Sequence, residues 1–245
     1  FQKPRAIAID ANDRIYVVDM TARIQVFDTQ GRFLRAWQTP EHENGRPTGL
    51  SVGRDGRILV ADTHYYRVLV YSPEGQFLRT LGGTLGQKPG QFGLVSDVVE
   101  DSEGNYYVSE YGEYDRIQKF THEGRFILEW GGHGAEPGRF SRPQSMAIDE
   151  NDRIFVADAA AGKVTVFDYF GNFLFEIGAA VLKKPTGVAL DQFGNLFIVD
   201  SSKNRIFVFD AGGALIYEFG SLGDKFGAFN EPQDMCIQGN RLYVA

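Results

Sequence analysis

The sequence predicts an all-β fold assembled from repeated four-stranded units, on three observations. Short runs rich in Val, Ile, Phe and Tyr recur along all 245 residues, bounded by Asp, Asn or Gly. The runs come in sets of four, most plainly between Pro143 and Gly178. The sets repeat, starting near Pro4, Pro47, Val95, Pro143, Pro185 and Pro232, at spacings of 43, 48, 48, 42 and 47 residues. Four strands per unit at a period of about 40–50 residues is the requirement of a β-propeller blade. Six starts therefore imply one domain over residues 1–245, a six-bladed propeller of antiparallel blades with the sixth incomplete in this sequence.

Each strand position repeats in register. First strands are expected at Ala6–Ile9, Leu50–Val52, Val98–Glu100, Met146–Ile148, Val188–Leu190 and Met235–Ile237. Second strands follow at Ile15–Val18, Ile58–Ala61, Tyr106–Ser109, Ile154–Ala157, Leu196–Val199 and Leu242–Ala245. Third strands begin at Ile24, Val68, Ile117, Val164 and Ile206, and fourth strands at Phe33, Phe77, Phe126, Phe173 and Leu215. The sixth unit stops after its second strand. The chain opens with Phe1-Gln2-Lys3-Pro4, which matches the linker ends Phe140-Ser141-Arg142-Pro143 and Phe229-Asn230-Glu231-Pro232. An open sheet edge is an aggregation hazard, so residues outside this sequence are expected to complete the sixth blade.

Strand parity assigns the loops to two faces. The first-to-second and third-to-fourth turns share one face and are short and uniform: Asp10–Asp13, Asp28–Gly31, Asp191–Gly194 and Asp210–Gly213. Asp bonding its local backbone and Gly at positive φ make these structural turns. The second-to-third loops and the inter-blade linkers share the opposite face and vary in length, which marks it as the face for binding. The long linkers Gly82–Phe92, Gly131–Phe140 and Gly220–Phe229 carry repeated glycines. No helix and no Gly-Lys-Ser/Thr follows them, so they are expected to pack between blades rather than cradle phosphate.

Composition narrows the function. The formal net charge is −7, which disfavours non-specific binding to nucleic acid, and no Lys/Arg cluster stands out. The single cysteine, Cys236, excludes an intrachain disulfide and a Cys-rich metal site; inside an apolar run it is expected to be a buried, inert thiol. No run is long and apolar enough to span a membrane. A secreted or periplasmic setting is favoured, although one cysteine does not fix the compartment.

Candidate residues fall in four groups. Asp97 and Asp234 interrupt a position otherwise held by Ala6, Gly49, Ser145 and Gly187, on blades that stand opposite in a ring of six. They are expected either to form a cation or acid/base pair near the channel mouth or to cap backbone N–H groups. Gln144 and Gln233 are further channel candidates. Tyr65, Tyr66, Tyr111 and Tyr114, in adjacent second-to-third loops, form a candidate recognition surface or pack under the long linkers. An acid after the second strand (Asp19, Asp62, Glu110, Asp158, Asp200) and a base before the third (Arg23, Arg67, Arg116, Lys163, Arg205) recur in five blades. Recurrence in every blade points to structural ion pairs or loop hydrogen bonds rather than catalysis. His42, His64, His122 and His133 occupy unlike positions and do not converge on one metal.

The segments Pro185–Asp191, Gly194–Asp200 and Asn204–Asp210 resemble the NHL-repeat family of propellers, and the resemblance extends over nearly the whole chain. It implies the six-bladed fold but no single activity. The amidating-lyase branch holds zinc with histidines near the channel. The residues following the repeated Pro position here are Arg5, Thr48, Ser96, Gln144, Thr186 and Gln233, none of them histidine, so neither that zinc site nor any other cofactor is expected. The first functional reading is a non-enzymatic scaffold that binds a protein partner on the linker face, within a larger assembly. The alternative is a metal-dependent hydrolase or lyase similar to the gluconolactonase or amidating-lyase propellers, with Asp97 and Asp234 near its centre.

Overall fold

A computed structural model describes residues 1–44 and 46–245. Blade one is β1 (Pro4–Ile9), β2 (Ile15–Asp19), β3 (Arg23–Phe27) and β4 (Phe33–Gln38). Blade two is β5 (Gly49–Val52), β6 (Ile58–Asp62), β7 (Arg67–Tyr71) and β8 (Phe77–Gly82). Blade three is β9 (Leu94–Glu100), β10 (Tyr106–Tyr111), β11 (Arg116–Phe120) and β12 (Phe126–Gly131). Blade four is β13 (Pro143–Ile148), β14 (Ile154–Asp158), β15 (Lys163–Phe167) and β16 (Phe173–Ile177). Blade five is β17 (Pro185–Leu190), β18 (Leu196–Asp200), β19 (Arg205–Phe209) and β20 (Leu215–Phe219). Blade six contributes β21 (Met235–Gln238) and β22 (Arg241–Val244). Every sheet is an antiparallel meander in chain order, and the one helical element among the described residues is a 3-10 turn at Thr63–Tyr65.

The inner strands touch in the order β1, β5, β9, β13, β17, β21 and back to β1, so the ring closes with blade six against blade one. Second strands such as β6 and β14 are buried on both faces. Their alternate side chains serve two neighbours: Ile58 and Val60 pack towards blade one, Leu59 and Ala61 towards blade three. The same alternation gives one apolar core at each of the six blade junctions. Each fully buried aliphatic or aromatic side chain there contributes about 1.5–3 kcal/mol. The junction of blades six and one is the leanest, with Ile7, Ile15 and Val17 buried against Cys236, Tyr243 and Ala245.

The long linkers pack between blades as the sequence suggests. Each folds back on itself through a parallel bridge, Leu85 to Phe92, His133 to Phe140 and Leu222 to Phe229. Phe92 and Phe140 are fully buried. Gly82 and Gly131 make room for those rings: a Cβ at either would lie 2.4–2.6 Å from the Phe, and both have positive φ.

Candidate functional site

The channel begins with an irregularity in the innermost strands. Pairing of β1 with β2 jumps from Pro4–Asp19 to Ala6–Val18 and leaves Arg5 as an extra residue. The same bulge leaves Ser96, Gln144 and Thr186 unpaired in blades three, four and five. A bulge re-aims the extra side chain. Here Arg5, Gln144 and Thr186, with Thr48 and Gln233 at the matching places, turn towards the ring axis and line the upper channel. Ser96 instead stays buried, bonded to Ser109 at 2.8 Å.

Three zones follow along the axis. On the linker face lies a vestibule of about 230 Å³ lined by Arg5, Arg46, His64, Arg142, Lys184 and neutral polar groups including Gln144, Gln233 and Tyr111. Beneath it the channel narrows to about 20 Å³, walled by Gly49, Asp97, Ser145 and Asp234. Towards the turn face it opens again to about 210 Å³, now lined mainly by aliphatic residues such as Ile7, Leu50, Val99 and Val188.

Asp97 and Asp234 both stand in the neck and clip neighbouring blades together. Asp97 Oδ1 accepts the N–H of Val98 in its own strand (2.9 Å) and Oδ2 accepts that of Met146 in blade four (2.8 Å). Asp234 Oδ2 accepts the N–H of Ile7 in blade one (3.0 Å). Gly49 and Gly187 clear space for these carboxylates; a Cβ at either would come within 2.8 Å of the Asp side chain. Burial, and then repulsion from Asp234, push the Asp97 pKa up to about 8. Burial raises Asp234 to about 7, its accessible surface opening on the narrow channel.

This donor set does not fit a catalytic metal. Much of the oxygen capacity of Asp97 and Asp234 is taken by backbone N–H groups, and the guanidinium of Arg5 shares their cavity. Among the described residues no three His, Cys, Asp or Glu side chains gather as a metal site. The histidines stand apart: His64 on the vestibule, His122 at 2.7 Å from Arg57, and His133 at 2.7 Å from Asp115. His42 lies in the linker before blade two and does not line the channel. Cys236 is half-buried on the lower channel rather than enclosed, because the channel reaches it, and burial raises its thiol pKa.

The four tyrosines lie on the linker face and are each partly exposed. Arg67 covers the ring of Tyr65 at 4.6 Å, Arg116 that of Tyr114 at 5.0 Å, and Arg142 that of Tyr111 at 4.7 Å. Tyr66 differs: its backbone is left-handed (φ 54) and its ring packs on the core between blades two and three. Tyr111 lines the vestibule; the other three do not.

The recurrent acids and bases act differently from one blade to the next. Asp19–Arg23 (3.0 Å), Asp62–Arg67 (2.8 Å) and Glu110–Arg116 (2.7 Å) are pairs within a blade. In blades four and five the acid makes loop hydrogen bonds in place of this pair, and Lys163 and Arg205 bond Glu176 and Glu218 on the fourth strand. Asp158 and Asp200 are occupied instead by the incoming linker. Asp158 accepts the N–H groups of Ser141 (2.7 Å) and Arg142 (2.9 Å), and Asp200 those of Lys183 (2.6 Å) and Lys184 (3.1 Å). Those bonds fix the backbone that carries two of the vestibule cations.

The repeated acids of the turn face are engaged within the fold. Asp10, Asp101, Asp149 and Asp191 each accept two backbone N–H groups two and four residues on, at 2.8–3.0 Å. Their second oxygens take side chains such as Arg14 and Asn105. A groove of about 490 Å³ does lie between the turns of blades four and five, but its carboxylates Asp149 and Asp191 are engaged in those same turns.

Comparison with known proteins agrees with this architecture. A family model described as a 6-bladed beta-propeller matches residues 92–192, and one described as NHL repeat matches residues 44–71. The chain is a β-propeller that carries an NHL repeat. NHL repeat-containing protein 3 of Mus musculus is 28% identical over 182 residues, covering 66% of this chain and 51% of the relative. The peptidylglycine alpha-amidating monooxygenase of Rattus norvegicus is 35% identical over 132 residues, 49% of this chain and 13% of the relative. The B-box type zinc finger protein ncl-1 of Caenorhabditis elegans is 29% identical over 128 residues, 52% of this chain and 14% of the relative. The propeller thus spans only 13–51% of the length of these relatives. Among solved structures, a streptogramin B lyase superposes with a TM-score of 0.72 at 16% identity, covering 100% of this chain and 76% of the other. A protein of unknown function from Bacteroides caccae gives 0.71 at 17%, covering 95% and 85%. Identities this low establish a shared fold and no shared reaction.

What the sequence reading missed is the basic vestibule. Lys3, Arg46, Arg142 and Lys184 each precede the repeated proline, so one position of the repeat holds a cation in four blades, and three of these cations line the vestibule. The signal was present, but its members lie more than 40 residues apart and form no local cluster.

Proposed function

We propose that this propeller is a binding module whose linker face receives a protein partner, the blades serving as a rigid frame without catalytic chemistry. The observation that carries the reading is the asymmetry of the two faces. The recurrent aspartates of the turn face are spent on the fold, whereas the linker face presents tyrosines stiffened beneath arginines and an open basic vestibule. Large, rotamer-poor tyrosines give contact area at low entropic cost. The amidating-monooxygenase and lyase similarities raise an enzymatic alternative, but among the described residues no metal-binding cluster supports it.

A photoreactive amino acid placed at Tyr114 or at Tyr169 tests this directly. Tyr169 is 44% exposed in a turn of the opposite face. Cross-linking to a cellular protein is expected from position 114 and not from position 169. Cross-linking from position 169 alone would overturn the assignment of faces.

A further inference from the structure

We propose that the vestibule at the centre of the linker face is a binding site for a compact oxyanion, a small organic molecule bearing carboxylate or phosphate groups. All six blades contribute to its wall. Four permanent cations, Arg5, Arg46, Arg142 and Lys184, line it and no carboxylate does. Among the described residues none of the four is within ion-pair distance of an acid, although the chain as a whole carries a formal charge of −7. A cavity lined by one sign of charge and walled by protein focuses its field on whatever enters.

The cations are placed rather than scattered. Arg5 is delivered by the bulge in β1, and its Nε is buried with no hydrogen-bond partner. A buried unsatisfied donor is costly and calls for a partner that the protein itself does not supply. Arg142 is held over the cavity by the ring of Tyr111 and by the bond from its backbone N–H to Asp158; Lys184 is held through Asp200. The same place in blades one and six is taken by Lys3 and Glu231, whose backbones are left-handed (φ 50 and 53) and which do not line the cavity. The one carboxylate at this position is therefore kept off the wall.

Size and polarity define the ligand. About 230 Å³ is below the usual range of drug-sized pockets, roughly 300–1,000 Å³. The neck beneath it, about 20 Å³, has room for about one water, so the ligand is stopped there. Thr48, Thr186, Gln144 and Gln233 offer donors and acceptors to neutral parts of the ligand, while guanidinium forks match carboxylate and phosphate oxygens. A nucleic-acid strand requires a long basic groove and free aromatic faces for stacking. Here the cavity is compact and the face of Tyr111 is covered by Arg142.

The test is calorimetric titration of the protein with citrate and with pyrophosphate, at matched ionic strength and with sodium chloride as the blank. At least one of the two is expected to bind at one site per chain. Binding of citrate alone assigns a carboxylate ligand, and of pyrophosphate alone a phosphate ligand. The double variant Arg142→Gln/Lys184→Gln, in exposed side chains that leave the core intact, is expected to weaken binding by about tenfold or more. It is also expected to raise the melting temperature without ligand, because it relieves repulsion between like charges. The surface variant Arg125→Gln is expected to match the parent in affinity. Failure of both anions to bind would overturn the proposal, as would equal affinity in the double and surface variants. None of these results depends on the protein partner, so this site and the docking face stand or fall separately.

Discussion

The two faces of the ring are built from one repeat yet use their polar groups in opposite ways. On the turn face Asp10, Asp101, Asp149 and Asp191 fold back onto their own backbone, each accepting N–H groups two and four residues on. On the linker face acids such as Asp158 and Asp200 reach about 16 residues back and hold the incoming linker, leaving the adjacent Arg142 and Lys184 free to face the cavity. One face is satisfied internally; the other is held in place and left open. Stability should therefore reside on the first face and recognition on the second.

The largest stability effect is expected at Asp101. Its carboxylate accepts the N–H groups of Glu103 and Asn105 and lies 3.0 Å from the Tyr107 hydroxyl and 3.2 Å from Lys119 Nζ. Asp101→Ala leaves the buried Lys119 without its counter-ion and sharing the Tyr169 carbonyl with the Tyr107 hydroxyl, at a cost of about 3–5 kcal/mol in a chemical denaturation curve. Binding on the linker face should be retained by the fraction that remains folded. If Asp101→Ala lowered affinity and left stability intact, the division of labour between faces would be wrong.

The pH dependence separates turn from neck. Asp10 and Asp101 have folded pKa values below the ordinary 3.8, because hydrogen bonds and nearby cations outweigh burial. Their stabilisation is present above that value and is lost as pH falls through the folded pKa. Asp97 and Asp234 have the opposite sign. Burial raises them to about 8 and about 7, so the folded state holds protons that the unfolded chain releases. Their contribution weakens as pH rises from about 4 towards 8. Asp97→Asn/Asp234→Asn should flatten the decline in melting temperature across that window, with little change below pH 4. An unchanged slope would show that the neck carboxyls do not titrate there.

The smallest effect is expected at Arg205. Its bridge to Glu218 is between side chains that are 41% and 38% exposed, so Arg205→Ala should cost at most about 1 kcal/mol. A loss much larger than that would mean the outward pair closes the blade more tightly than its exposure suggests.

The sequence shows clearly whatever repeats locally. Six starts, four strands and strand parity lead to the blades and to the distinction between faces, because period-2 alternation and Asp/Gly turns are short-range signals. Cross-strand partners are not visible in that way. Lys163 and Arg205 look like their counterparts in blades one to three, yet they pair with Glu176 and Glu218, which only the β15–β16 and β19–β20 registers bring near. Tyr66 reads as one of four loop tyrosines, but its left-handed backbone turns the ring into a blade junction. The vestibule is harder still to see, since convergence of Arg5, Arg46, Arg142 and Lys184 requires both the closed ring and the bulge.

The central claim, that recognition belongs to the linker face, is tested most directly by partner affinity in two matched variants. Tyr65→Ala/Tyr114→Ala removes partly exposed linker-face rings while sparing the core-packed Tyr66. Tyr169→Ala removes an exposed ring from the turn face. Measured by titration against the cross-linked partner, the double variant should lose about tenfold or more in affinity, since a central interface tyrosine is worth ~2 kcal/mol. Tyr169→Ala should bind like the parent. Parental affinity in the double variant together with a loss in Tyr169→Ala would contradict the account.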